Sequence, residues 1–238
     1  VLTTHLEDDL WVVTLDDGNR NALRPETFEA LAAAYADAPD EAGAIVLVGR
    51  EGMFTAGLDV KWMAAAGVQE LTDLLVLFGR TLMRMWTEPR PTVCAIEGHA
   101  VAAGTMFAMA CDHAVAAQGD WKLGLTETRI DFQIPDFGLE LARHNVAAHQ
   151  VDDLLLAGVF VDPVRAAHVG FVDDVVAAED VRAVAFGHAR ALAELPRVAY
   201  AGTKRRLRGA AAQRVLDGIE SDVAAMVAES PVGREAAK

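Results

Sequence analysis

The sequence predicts an α/β fold built on a parallel sheet, with a wholly helical layer formed by its tail. Three observations lead there. Strand and helix patterns alternate up to about residue 175, as expected of strands joined by helical crossovers. Ala44 to Val48 (AIVLV) is an unbroken apolar run, as a strand covered on both faces requires. From Glu179 onward the pattern is helical, broken only at Pro196 and near Pro231. The expected division is a core over residues 1–185 and a helical C-terminal region over residues 186–238.

The elements follow in order. Leu2–Leu6 and Leu10–Leu15 alternate in polarity around the turn pair Asp8-Asp9, which predicts a hairpin. Asp16-Asp17-Gly18-Asn19 is a strong turn cluster. Pro25 opens a helix at its first turn, with Phe28, Leu31, Ala32 and Tyr35 on one face. After the AIVLV strand, Gly49-Arg50-Glu51-Gly52 breaks the chain. Val68–Trp86 carries Leu71, Leu74, Leu75, Phe78, Leu82 and Met85 at helical spacing. Glu88-Pro89-Arg90-Pro91 ends that helix and launches a strand over Pro91–Glu97. A turn at Gly98, a run of small residues, an apolar helix and a strand over His113–Ala117 come next. Arg129–Phe137 reads as irregular, with helices from about Leu139 to Leu156, a short helix over Pro163–His168 and a short strand over Val172–Val175.

Composition excludes several classes. With 238 residues, 53% of them hydrophobic, the chain makes one large domain, or one with a helical extension. No apolar run approaches the roughly 18 residues of a membrane span. The acidic start VLTTHLEDDL has no basic n-region, so no secretory signal is expected. Cys94 and Cys111 lie in apolar segments without metal-ligand spacing, and read as buried thiols of a reducing cytoplasm. No metal site and no tightly bound cofactor are expected. A net charge of −14 argues against nucleic acid and anionic membranes as partners. An anionic ligand would then need a local basic patch, for which Thr203–Arg208 (TKRRLR), Arg20, Arg24 and Lys61 are candidates.

The chemistry concentrates between Cys94 and Glu127. Ala100, Ala102, Ala103 and Gly104 stand where the apolar helix begins, and a helix start lined by small residues lets a ligand approach its unpaired N–H groups. Glu127 follows as a lone carboxylate on an otherwise small, apolar loop. A backbone donor site beside one isolated glutamate suits proton abstraction next to a carbonyl. The plain alternative for Glu127 is a loop carboxylate paired with Arg129. For Asp136 it is a helix N-cap, for His99 and His113 packed or capping roles, and for Glu97 a structural role.

The segments NRNALRPETFEAL (19–31), AIVLVGREGMFTAGLDV (44–60), AIEGHAVAAGTMFAMACDHAV (95–115) and WKLGLTETRI (121–130) resemble the crotonase superfamily of enoyl-CoA hydratases and isomerases. Within it the chain is most similar to the Δ3-Δ2-enoyl-CoA isomerases. The resemblance implies a spiral of ββα units with a helical trimerisation region, assembling as a homotrimer or a dimer of trimers. It implies an acyl-CoA thioester as substrate, its enolate held by the N–H groups of Leu58 and Ala103. Coenzyme A is implied to lie along Arg20, Asn21, Ala22, Thr55, Ala56, Gly57, Leu58, Asp59, Lys61 and Ala103. Hydratases of the superfamily use two glutamates. The first position is Met106 here and the second is Glu127 in LTET. One carboxylate suffices to shuttle a proton between C2 and C4, so the resemblance favours an isomerase. The alternatives are a hydratase with Glu127 alone managing water, and a non-catalytic acyl-CoA-binding homologue. Asp131 replaces a glycine common in the family, and a dehalogenase branch places a nucleophilic aspartate near Asp136.

Overall fold

The computed structural model describes residues 2–237. In chain order the elements are β1 (Leu2–Glu7), β2 (Leu10–Leu15), α1 (Pro25–Ala36), β3 (Ala44–Val48), β4 (Gly52–Thr55), α2 (Val60–Ala65), α3 (Val68–Trp86), β5 (Thr92–Ile96), β6 (Gly98–Val101), α4 (Ala103–Ala110), β7 (His113–Ala117) and β8 (Leu123–Gly124). A 3₁₀ turn over Glu127–Ile130 follows, then α5 (Asp136–Asn145), α6 (Val151–Leu156), α7 (Pro163–Val169), β9 (Asp174–Val176), α8 (Val181–Ala193), α9 (Arg197–Glu229) and α10 (Pro231–Ala236).

Six strands form one sheet in the order β1-β2-β3-β5-β7-β9, parallel apart from the β1–β2 hairpin. The other three, β4-β6-β8, form a small parallel sheet. Each of β3, β5 and β7 feeds one strand of the small sheet and then helix, so the ββα unit recurs three times. That is the α/β spiral expected. All five residues of β3 and of β5 are buried, because α8 covers one face of the large sheet and the main core lies on the other. Helix α3 buries Leu71, Leu74, Leu75, Phe78, Leu82 and Met85 in that core, each contributing about 1.5–3 kcal/mol by leaving water. Its start is fixed by Glu70, whose carboxylate accepts the Gly67 N–H at 2.8 Å.

Several sequence expectations need correction. Gly98 begins a strand rather than a turn. A Cβ there would collide with the backbone of Gly52 and Met53, so glycine is needed for β6 to run beside β4. The segment expected to be irregular over 129–137 contains the second half of the 3₁₀ turn and the start of α5. Asp136 does not cap α5. Pro135 holds that position, and the Asp136 N–H donates instead to Asp222 Oδ2 at 3.0 Å. The helices expected from about Leu139 to Leu156 are two, α5, which starts earlier at Asp136 and ends at Asn145, and α6 from Val151 to Leu156. The last strand is Asp174–Val176 rather than 172–175. Residues 185 and 186 lie within α8, a helix that packs on the sheet.

Cys94 and Cys111 are free and buried. Glu97 pairs with Arg182 at 2.8 Å. His99 Nδ1 accepts the Lys122 N–H at 3.0 Å and packs edge-on against Trp121. Asp131 sits at φ 60°, ψ 37°, the left-handed region that glycine enters freely and aspartate tolerates. No described helix is long and apolar enough to cross a membrane.

Candidate active site

Residues 55–59 are shaped by hydrogen bonds among themselves and with residues 20–24. The Thr55 hydroxyl accepts the Gly57 N–H at 3.0 Å and donates to the Asn21 carbonyl at 2.5 Å. Leu23 N–H donates to Gly57 O, and Asp59 N–H to Leu23 O, both at 2.9 Å. Asn21 is buried at φ 50°, with its amide donating to Leu15 O at 2.8 Å and Phe54 O at 3.0 Å. The side chains of Asn21 and Thr55 therefore hold this loop together and are not free to bind a ligand. Asp59 caps α2 by accepting from the Lys61 and Trp62 N–H groups. Arg24 grips its other oxygen at 2.7 Å and, chiefly through that bond, holds the carboxyl below its usual range. Among the described residues the Leu58 N–H has no hydrogen-bond partner.

The second segment is the start of α4. Ala102 adopts φ 50°, ψ −107°, a strained conformation for any residue with a side chain. Its N–H donates to Gly124 O at 2.9 Å, and its carbonyl accepts the first helical bond from Met106 N–H at 3.1 Å. The Ala103 N–H, in the first turn, is left without a partner among the described residues. The two segments touch. A Cβ on Gly57, at φ 85°, would lie 3.1 Å from Val101 O and 3.8 Å from Ala103 N. A Cβ on Gly104 would meet Thr55 Cγ2 at 2.7 Å. Glycine at 57 and 104 is what lets the amides of Leu58 and Ala103 share one neighbourhood.

Both residues line a cavity of about 220 Å³, together with Met63, Leu75, Phe78, Met106, Phe132, Phe160 and Glu127. Glu127 is the only ionisable side chain on its wall among the described residues. Thr105 fixes the approach to it by accepting the Gly124 N–H at 2.8 Å and donating to Ala100 O at 2.6 Å. Glu127 keeps some solvent contact, yet its Oε2 is buried with no hydrogen-bond partner. Burial pushes its pKa up to about 7, against a smaller opposing pull from nearby backbone N–H groups. Arg129 does not neutralise it, because its Nε donates to Gly158 O at 2.6 Å.

The other expected residues fall as follows. Ala56 lines the cavity, Ala22 is half-buried, and Arg20 and Lys61 are exposed. The basic segment 203–208 is not an open patch. Lys204 Nζ bonds the Asp112 carboxylate and the carbonyls of Glu88 and Arg90, and Arg208 bonds Asp112 at 2.7 Å. A buried aspartate needs such countercharge, and only Arg205 and Arg206 of the cations in this segment are exposed. Sequence reasoning missed Phe132 and Phe160 on the cavity wall and the strain at Ala102. The only signal for Ala102 was its place in a run of small residues.

A ββα spiral with two free amides and an orphan carboxylate around one apolar cavity defines the crotonase class of fold and site. The chain belongs to the enoyl-CoA hydratase/isomerase family, whose sequence profile matches residues 6–231. A Thermus thermophilus protein provisionally named an enoyl-CoA hydratase is 35% identical over 184 residues, spanning 73% of this chain and 72% of its own. A Mycobacterium tuberculosis protein, described as an enoyl-CoA isomerase in one structure and as a probable enoyl-CoA hydratase in another, is 30% identical, with a TM-score of 0.86 over 93% of this chain and 98% of its own in the first. Human mitochondrial Δ3-Δ2-enoyl-CoA isomerase, at 23% identity, superposes with a TM-score of 0.93 over 98% of this chain and 94% of its own, and so shares the fold.

Proposed function

We propose that the protein is an enoyl-CoA isomerase that moves a double bond of an acyl-CoA thioester from C3 to C2. The observation that carries this reading is the single carboxylate of the cavity, Glu127, facing an apolar wall on which Met106 stands where a hydratase would place its first glutamate. Adding water across a double bond calls for groups that both activate the water and place its proton. Moving a proton between two carbons of one substrate needs a single base that returns what it took.

In the proposed cycle the thioester oxygen accepts from the Leu58 and Ala103 N–H groups. Glu127 removes a proton from C2, and the C–H electron pair spreads through C1 and the C3–C4 double bond as a dienolate. Glu127 then returns the same proton at C4, leaving the double bond between C2 and C3. The oxygen gains charge as the proton leaves, and pre-aimed donors in a dry site stabilise it without reorganising. Losing one such donor typically costs ~10²–10³ in rate. A base with a pKa of about 7 is suited to this exchange near neutral pH. Coenzyme A would follow the loops at Arg20–Ala22 and Thr55–Lys61, with exposed Arg20 and Lys61 toward its phosphates.

The test is incubation with 3-enoyl- and 2-enoyl-CoA substrates. Interconversion without 3-hydroxyacyl-CoA is the expected result, abolished in Glu127→Gln while acyl-CoA binding persists. Formation of 3-hydroxyacyl-CoA as the main product would assign a hydratase, and tight binding without turnover would assign a binding protein.

A further inference from the structure

Away from the cavity, three side chains from three elements converge with metal-binding chemistry. His113 opens β7, Asp174 opens β9 and His188 lies on α8. His113 Nε2 and His188 Nε2 stand 2.9 and 3.0 Å from one atom, Asp174 Oδ2. The two imidazole rings face each other with centroids 4.0 Å apart, and the ligating atoms all lie within 4.8 Å of one another. The separation of 61 residues between His113 and Asp174 hides the group from any spacing rule.

The geometry points to a divalent transition-metal site, of the zinc type, held by His113 Nε2, His188 Nε2 and Asp174 Oδ2. Two imidazole nitrogens with one carboxylate oxygen suit Zn²⁺, Co²⁺ or Ni²⁺, whereas Ca²⁺ and Mg²⁺ take all-oxygen sets. Around a tetrahedral ion with bonds of ~2.0–2.1 Å the ligand atoms lie roughly 3.3 Å apart. The two histidine–aspartate distances need to grow by only a few tenths of an ångström to match, while the imidazole rings, stacked with centroids 4.0 Å apart, must open to bind the same ion. All three side chains are partly exposed, which leaves entry from solvent and a fourth position for water. Asp173 supports the site from behind. Its Oδ2 is fixed by the Ala114 N–H at 2.8 Å and lies 3.9 Å from His113 Nδ1, placing negative charge beside a ligating ring.

Occupancy would join the outermost strand β9, only three residues long and paired with β7 alone, to both β7 and α8. The site shares no residue with the cavity wall, so its consequence is stability rather than turnover.

The test is calorimetric titration of chelator-treated protein with Zn²⁺, for wild type and for His188→Ala, a change on a partly exposed helix position. The expected result is one ion per chain at micromolar affinity or tighter, weakened ~100-fold in the variant. Zn²⁺ at about a hundred times the wild-type dissociation constant should raise the wild-type melting temperature by roughly 5–10 °C and the variant's by no more than about 2 °C. Asp174→Asn should repeat the loss of binding. No saturable binding by wild type, or equal binding by both variants, would overturn the assignment and leave Asp174 as a shared hydrogen-bond acceptor.

Discussion

The Thr105 hydroxyl accepts the Gly124 N–H at 2.8 Å, so the helix that offers the Ala103 amide is bonded directly to the strand that leads to Glu127. Thr105→Val removes that acceptor and leaves the Gly124 N–H buried without a partner, at a cost of about 1–3 kcal/mol. Chemical denaturation should show that loss. Steady-state kinetics should show kcat falling by more than KM changes, because donor and base lose their shared register.

Glu127 sets the response to pH. With its pKa at about 7, the rate should rise with pH and level off above neutrality, as the carboxylate becomes the base. Its effect on stability has the opposite sign. The folded pKa lies above the unfolded value, so the folded chain binds the extra proton and stability falls as pH rises from about 4.5 to about 7. Glu127→Gln should therefore be inactive yet more stable than wild type at pH 8, by on the order of 2–3 kcal/mol, the gap closing near pH 4. Melting curves across that range check it.

Gly57→Ala tests the contact between the two amide-bearing segments. The added Cβ would meet Val101 O at 3.1 Å on a backbone at φ 85°, so the loop must shift away from Ala103. A rate loss of ~10²–10³ with the carboxylate intact is expected, with destabilisation of about 1–2 kcal/mol. Single-turnover kinetics and a denaturant titration measure the two effects.

Met106→Glu tests the choice of reaction. Met106 packs against Gly138, whose Cβ would meet Met106 Cε at 2.8 Å, and burying a carboxylate there should lower stability by ~2 kcal/mol or more. The variant should form 3-hydroxyacyl-CoA from 2-enoyl-CoA at least ~10-fold faster than wild type, read by product chromatography.

Asp112→Asn should be among the most damaging changes outside the cavity. It leaves Lys204 and Arg208 without their shared carboxylate, and breaking a buried ion cluster costs ~3–5 kcal/mol. Equilibrium unfolding gives the value.

Much of the fold was legible because periodicity is a local property. The limits of α3 at Val68 and Trp86 follow from its apolar stripe and from the Pro89 and Pro91 that succeed it. The strands β3 and β7 announce themselves as short apolar runs. What escaped was set by distant neighbours. Gly98 looks like a turn until Gly52 is seen passing against it. Asp136 has the composition of a cap, but Asp222 on α9 takes its N–H. Lys204 and Arg208 read as part of a basic patch because nothing in their segment reveals Asp112 beneath them. Leu58, Ala103 and Glu127 were legible from motif, and the structure sets them around one cavity. Of the aromatic wall, Phe78 belongs to the α3 stripe, whereas Phe132 and Phe160 came from segments without any pattern of their own.

Asp112 stands just beyond the last turn of α4, and α9 grips it through Lys204 and Arg208. Eight residues of helix make a strut only about 12 Å long, with the Ala103 amide at its free end. The tail contributes no residue to the cavity wall, yet it braces that wall from the rear. A chain shortened before α9 would keep every group that lines the cavity and lose the stiffness that keeps them aimed.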